Sequence, residues 1–353
     1  MSINKSKILL TASVILAMCF SCTPDSKKSK EADRSIPFEV FTKFERLEGG
    51  SPLLSVPFPE WAAAAHAIVV EDTVHYIWSK RDENNFWDIR HSSAPVSDPT
   101  LIRHDARNPI LTPPAEGMDS KSMEYPNPFY NPKDQKFYMY YLVKEKQKGK
   151  PQITPKQTGL LVSDGDLGNW KKVLPHPVIY SEFEHEKIVA GHTSTAIVGD
   201  TIHIIYTSLI SYSHNPAICH ATSTLDNPEI VIKNPNNPIF KGSGEDWDAY
   251  GVREAEILKG PEYFHIFYGG RNKERVFQVG HVRTKNFKTF EANPYNPIFK
   301  VSADSGEWDS GGLLTPQVFE AGDYYYLLYA GLKGDEWNAQ GHCVSGLARA
   351  PRK

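Results

Sequence analysis

"NPIFKGSGEDWDAYGVREAEILKGPEYFHIFYGG", residues 237–270, joins a proline turn, an acid-rich loop and two strand-like runs, and its plan recurs along the chain. Short turn-and-strand elements stand at "SPLL" (Ser51), "NPIL" (Asn108), "HPVI" (His176), "NPIF" (Asn237) and "NPIF" (Asn296), 57, 68, 61 and 59 residues apart. Each is followed by a run dense in aromatic and β-branched residues: "TVHYIW", "KFYMYY", "TIHIIY", "YFHIFY" and "YYYLLY". Each of the last four is preceded by a small-residue strand, a turn and another strand, as in "ICHATSTLDNPEIVIKN". A fixed period of this length marks a repeat architecture. Helix-period patterning is nearly absent, and Gly, Pro, Asn and Asp punctuate the chain as an all-β protein requires.

Four strands in each of five repeats predict an all-β, five-bladed β-propeller of four-stranded antiparallel blades, a fold that leaves only short, protected sheet edges. The ends of the chain predict how it closes. "GHCVSGLARAPRK" supplies a third strand to the last blade but no fourth, and "IPFEVFTKFERLEGGSPLL" near the start reads as a fourth strand with nothing before it. The N-terminal strand is expected to complete the last blade.

At 353 residues and 40% hydrophobic the chain is long enough for a large core, and a net charge of −3 with scattered Lys and Arg argues against a nucleic-acid partner. Residues 1–21 read as a secretory leader: Lys5 and Lys7 precede an apolar run from Ile8 to Phe20. Ser21 and Cys22 then resemble the lipobox of bacterial lipoproteins, although Cys19 and Phe20 fit that pattern imperfectly. The resemblance implies lipidation at Cys22, residues 22–36 as a polar tether, residues 37–353 as the catalytic propeller, and a cell-envelope location, on the outer membrane, facing the periplasm or the surface. With Cys19 removed and Cys22 acylated, Cys219 and Cys343 remain and are expected in the core.

The units "EWDSGGLLTPQVFEAGDYYYLLYAG", "PNPFYNPKDQKFYMYYL" and "REAEILKGPEYFHIFYGG" resemble the propeller glycoside hydrolases of family 43, with relatives in families 32, 62, 117 and 130. The resemblance covers roughly residues 37–353. It implies an exo-acting, inverting glycosidase on oligosaccharides derived from plant or algal polysaccharides, with the residue before each inner strand pointing into a central funnel. Alignment on the aromatic runs brings Ala64 to His66, Glu124, His192, Glu254 and Thr315 to one level. Glycoside hydrolysis needs two carboxyl groups, one protonated and one ionised. Glu254 matches the family's acid, and Glu124 is the expected second carboxylate. Glu256 alternates with Glu254 along the strand and is expected to point away.

Asp119, Asp248 and Asp309 form a second series, read either as loop scaffolding or, beside Trp247 and Trp308, as part of a sugar platform; Asp248 is carried as a third catalytic candidate. His66, His192, Arg253, Trp61, Asp309 and Gln317 are the expected substrate contacts. The family's base, an Asp at the first-blade entrance, is missing from "EWAAAAHAIVV". Three alternatives follow: another carboxylate such as Glu124 serves as base, His66 or His192 takes an acid or base role, or the protein binds glycans without cleaving them. A lyase using histidine and tyrosine is a further reading. No cofactor is expected, and a central calcium ion has no ligand signature in the sequence. HExxH, GxSxG and paired CxxC motifs are absent.

Overall fold

The computed structural model describes residues 35–47, 52–147, 154–211, 215–333 and 341–352. The leader, Cys22 and nearly all of the tether therefore lie outside the described residues. Twenty strands form among these residues, in five antiparallel meanders of four. The first strands are Trp61–Val70, Ser122–Asn131, Val189–Val198, Val252–Lys259 and Gly312–Ala321. The second strands, Thr73–Arg81, Lys136–Lys144, Thr201–Leu209, Phe264–Arg271 and Tyr324–Lys333, contain the aromatic runs. Third strands follow at Trp87–Pro95, Gln157–Ser163, Ala217–Thr224, Phe277–Thr284 and His342–Pro351. Fourth strands are two residues long: Arg103–His104, Lys171–Lys172, Ile232–Lys233, Glu291–Ala292 and, for the last sheet, Glu45–Arg46, which pairs with Ala348 and Arg349.

The second strands are apolar on both faces because both faces are covered. Adjacent residues of one strand, Tyr140 and Tyr141, are fully buried in different layers. Tyr140 packs with Ile204 and Tyr206 of the next repeat, and Tyr141 with Ile77 and Ile89 of the preceding one. First strands touch in sequence from repeat to repeat, and the first strand of the fifth repeat touches that of the first.

The recurring turn has a specific task. Asn108, Asn237 and Asn296 each accept from the backbone N–H of a third-strand histidine, His91, His220 and His281, and donate to the same residue's carbonyl at 2.7–2.9 Å. The last residue of each of the five copies, Leu54, Leu111, Ile179, Phe240 or Phe299, then bridges to a third strand. The element finishes the sheet before it instead of starting the next.

The N-terminal segment differs from the expected strand over most of its length. Phe38–Thr42 is a 3-10 turn, and Phe41 is fully buried, 5.0 Å from the Phe267 ring and 5.3 Å from that of Tyr325. Phe38, Phe41 and Phe44 recur every third residue, the period of that turn, so the segment drives an aromatic wedge between the fourth and fifth sheets before its two strand residues.

Candidate active site

Every first strand slips register once: between Ala63 and His66, Glu124 and Asn127, Gly191 and Ser194, Arg253 and Glu256, and Leu314 and Gln317. Within each bulge one non-glycine residue is left-handed: Ala64 (φ 50°), Tyr125 (51°), His192 (55°), Glu254 (53°) and Thr315 (48°). Such a conformation costs on the order of 1 kcal/mol or more per residue and persists where the surroundings impose it. Here it re-aims five side chains to one level, as bulges do. The equivalent of Glu254 in the second repeat is therefore Tyr125, and Glu124 stands one residue earlier.

Glu254 is 3% exposed. Its Oε1 accepts from the Tyr125 hydroxyl at 3.0 Å and lies 3.2 Å from Arg253 Nε, while Oε2 accepts from the Thr315 backbone N–H at 3.1 Å. Hydrogen-bond donors favour the charged form of a carboxyl group. Glu124, 1% exposed, has one hydrogen-bond donor among the described residues, Lys156 Nζ at 2.8 Å from Oε2.

His192 stacks on the Tyr125 ring, with centroids 3.8 Å apart. Neither of its ring nitrogens has a hydrogen-bond partner among the described residues, and both are sealed from bulk solvent. Burial, reinforced by the positive charges of Lys156 and Arg253, holds its pKa well below the usual histidine value, so the imidazole is neutral near pH 7. Trp61 donates its indole N–H to the Gly341 carbonyl at 2.9 Å and carries the Arg81 guanidinium 3.7 Å above its ring.

Glu124, Glu254, His192, Arg253, Trp61 and Arg81 line one cavity of about 220 Å³, with Trp87, Leu314 and Ala330 on its apolar side. This is below the roughly 300–1,000 Å³ of sites that engulf whole drug-sized ligands. Cys343, expected in the core, is buried and forms part of the wall.

Five expected residues, His66, Glu256, Gln317, Asp248 and Asp309, stand outside this cavity. His66 sits one level deeper, where its Nδ1 lies 3.4 Å from Glu256 Oε2 and Asn127 Nδ2 approaches at 3.2 Å. Glu256 belongs to the same group instead of pointing away: it stands two residues from Glu254, a spacing that shares one face of a regular strand, and lines a small hollow with it. Gln317 is committed to the backbone of Ala67, accepting from its N–H at 2.6 Å and donating to its carbonyl at 2.9 Å. Asp248 and Asp309 lie outside the cavity and serve as structural clasps. Asp248 accepts from Ser243 N, Ser243 Oγ and the Tyr268 hydroxyl, and Asp309 from Arg46 Nε and the Tyr329 hydroxyl.

The same clasp holds Asp119 with Tyr141 and Lys172, and Glu186 with Tyr206 and Lys233. In four repeats an acid thus accepts from the last tyrosine of the aromatic run, and in three of these a cation from the fourth strand joins. Trp247 and Trp308 press on Gly270 and Gly331, where an added Cβ would lie 2.3 and 2.2 Å from the indole rings, and Trp308 lines a second hollow with Asp309. Asp248→Asn is expected to destabilise the fold by about 1–3 kcal/mol, the cost of imperfectly satisfied buried groups, and to leave turnover per folded molecule unchanged. Urea midpoints and active-fraction-corrected kcat check both parts.

Sequence reasoning missed Tyr125, Lys156, Arg81 and Trp87. The left-handed position is visible only when the second repeat is shifted by one residue, Arg81 and Trp87 arrive from a second and a third strand, and Lys156 from the residue just before a third strand. Among the described residues no group of three or more His, Cys, Asp or Glu could hold a metal ion.

No family model matches the chain, and no curated protein does. Solved structures do match. One is a glycosyl hydrolase from Bacteroides ovatus at 14% identity and a TM-score of 0.66, covering 91% of this chain and 97% of that one. A family-130 structure, from a family of mannoside phosphorylases containing hydrolases that target β-1,2 mannosidic linkages, is 14% identical with a TM-score of 0.63, covering 88% and 94%. A thermostable family-43 glycoside hydrolase is 14% identical with a TM-score of 0.61, covering 83% and 91%. The sheets, their bulged first strands and these likenesses together give the chain the fold of the propeller glycoside hydrolases.

Proposed function

We propose that the protein is a five-bladed propeller glycosidase that removes a terminal sugar from oligosaccharides, secreted and tethered to the cell envelope through Cys22. Five blades are supported by the return of first-strand contacts from the fifth repeat to the first, and by the pairing of Glu45–Arg46 with the last third strand. The observation that carries the enzymatic reading is the presence of two buried carboxylates, Glu254 and Glu124, in one small cavity beside Trp61 and Trp87. A cavity of that size suits one end of a glycan, which favours exo action.

Glu254, with donors at both of its oxygens, activates water, in place of the acid role that the family resemblance implies. Glu124, which meets the Lys156 ammonium, delivers the proton to the leaving oxygen. Both oxygens of Glu254 already accept hydrogen bonds, which favours a water-activating role over direct attack, and inversion is the expected stereochemistry.

One observation favours a second reading. Tyr125 stacked on neutral His192 is a pair able to move a proton in a lyase acting on a uronate. Incubation with a panel of plant and algal oligosaccharides separates the two. New reducing ends of inverted anomeric configuration by NMR support hydrolysis, unsaturated products absorbing in the ultraviolet support elimination, and no product from any oligosaccharide overturns both and leaves glycan capture.

A further inference from the structure

The charges lining the cavity do not cancel. Arg81, Lys156, Arg253 and Arg271 face it, against the two carboxyl groups of Glu124 and Glu254, while His192 is neutral. Lys156 lies 2.8 Å from Glu124 and Arg253 3.2 Å from Glu254, so each of these cations meets a carboxyl group whichever proton state Glu124 holds. Arg81 has no carboxylate within salt-bridge distance among the described residues. Its guanidinium carbon lies 3.7 Å from the centroid of the Trp61 ring, and its buried Nε has no hydrogen-bond partner. Burial pulls the Arg81 pKa down, opposed by weaker electrostatic interactions with Cys343, Glu124 and Asp82. A buried polar group without a partner is costly, and a partly desolvated cation gains most from an anion delivered to it. The two ring nitrogens of His192, also without partners, offer one further donor and one acceptor in the same hollow.

We propose that the sugar bound in this cavity is acidic: a uronic-acid residue whose carboxylate is taken by the fork of Arg81, with the sugar's apolar face against the Trp61 and Trp87 side of the wall. A planar guanidinium already immobilised on an indole matches a planar carboxylate through two parallel N–H···O bonds. Neutral sugars leave that fork unmatched. The proposal deepens the reading of this cavity as the sugar site and rests on it.

The test is binding by the whole protein, which needs no turnover. Indole fluorescence or calorimetry is followed during titration with glucuronic and galacturonic acid, with glucose and galactose, and with inorganic phosphate. The expected result is uronate binding at least tenfold tighter than binding of the matching neutral sugar, weakening as salt is raised. Arg81→Met is expected to abolish that preference while leaving neutral-sugar affinity within about twofold, and Arg81→Lys, which keeps the charge but loses the fork, to restore part of it. Equal affinity for uronates and neutral sugars in the unaltered protein overturns the proposal while leaving a glycosidase in place. Binding of phosphate but of neither uronate overturns it in favour of a simple anion site. Failure of every sugar to bind removes both this proposal and the sugar-site reading. The wild-type comparison stands even if a variant fails to fold.

Discussion

Glu254→Gln is expected to lower kcat by about a thousandfold or more while the substrate is still bound, in line with the 10²–10⁴-fold usually lost with a general base. The amide keeps the shape of the side chain, but with a single oxygen it can accept from Tyr125 or from the Thr315 backbone N–H and not from both, and it cannot take a proton. It also leaves Arg253 without its carboxylate, so a modest loss of stability is expected beside the kinetic one, with the thermal midpoint falling by a few degrees. Glu124→Gln should act differently. Its effect should be largest on substrates with poor leaving groups and should shrink on aryl glycosides that need no proton. If Glu254→Gln keeps full activity, or if both variants lose activity equally on every leaving group, the division of labour between the two carboxylates is wrong. The assay is steady-state kinetics on an aryl glycoside and a natural oligosaccharide, with a urea midpoint for each variant.

The repeat was readable in the sequence because it follows from burial. Tyr141, Tyr206, Tyr268 and Tyr329 close the aromatic runs, and each is held by an acid from the loop before its first strand or from the adjoining turn. A chain that must place the same hydroxyl against the same acid four times writes the pattern into its composition. Asn108, Asn237 and Asn296 are repeated for a similar reason, since each satisfies the backbone of a third-strand histidine.

The cavity was harder to read. Its level is set by five left-handed residues of five different types, Ala64, Tyr125, His192, Glu254 and Thr315, chosen for what they present to the axis and not for a shared propensity. Glu256 was set outside although residues two apart share one face of a regular strand, and Glu124 was matched to Glu254 although it stands one residue before the left-handed position. Arg81 and Lys156 were invisible for another reason: isolated cations on a second strand or just before a third look like solvated edges until the neighbouring sheet is in place.

Lowering the pH from 6.5 towards 4 should unfold the protein well before most of its carboxylates titrate, and the cause is a histidine pair repeated in three sheets. His75 Nδ1 lies 2.9 Å from His91 Nε2, His203 Nδ1 3.2 Å from His220 Nε2, and His265 Nδ1 3.1 Å from His281 Nε2. Burial is the main reason His75, His203, His220, His265 and His281 resist protonation. It brings His75 down to about 4 and His220 and His265 to about 3, with the partner histidine adding to the effect for His75 and His220, and Arg283 and Lys259 for His265. A histidine whose folded pKa lies below its unfolded value binds its proton more readily when unfolded. Stability is therefore complete above about pH 6.5 and falls as pH drops towards the folded pKa. For the well-buried His220 and His265 this amounts to about 2–3 kcal/mol each at pH 4.5, a large part of the roughly 5–15 kcal/mol that holds a typical domain folded. The second and fifth sheets show the remedy, since Tyr138 and Tyr326 stand where the other sheets have the second-strand histidine, and Leu160 and Leu347 stand at the third-strand position. His203→Tyr combined with His220→Leu should accordingly leave stability at pH 7.5 within about 1–2 kcal/mol and flatten the decline between pH 6.5 and 4. Urea midpoints measured at half-unit pH steps decide the matter: parallel curves for the double variant and the unaltered protein would place the acid sensitivity elsewhere.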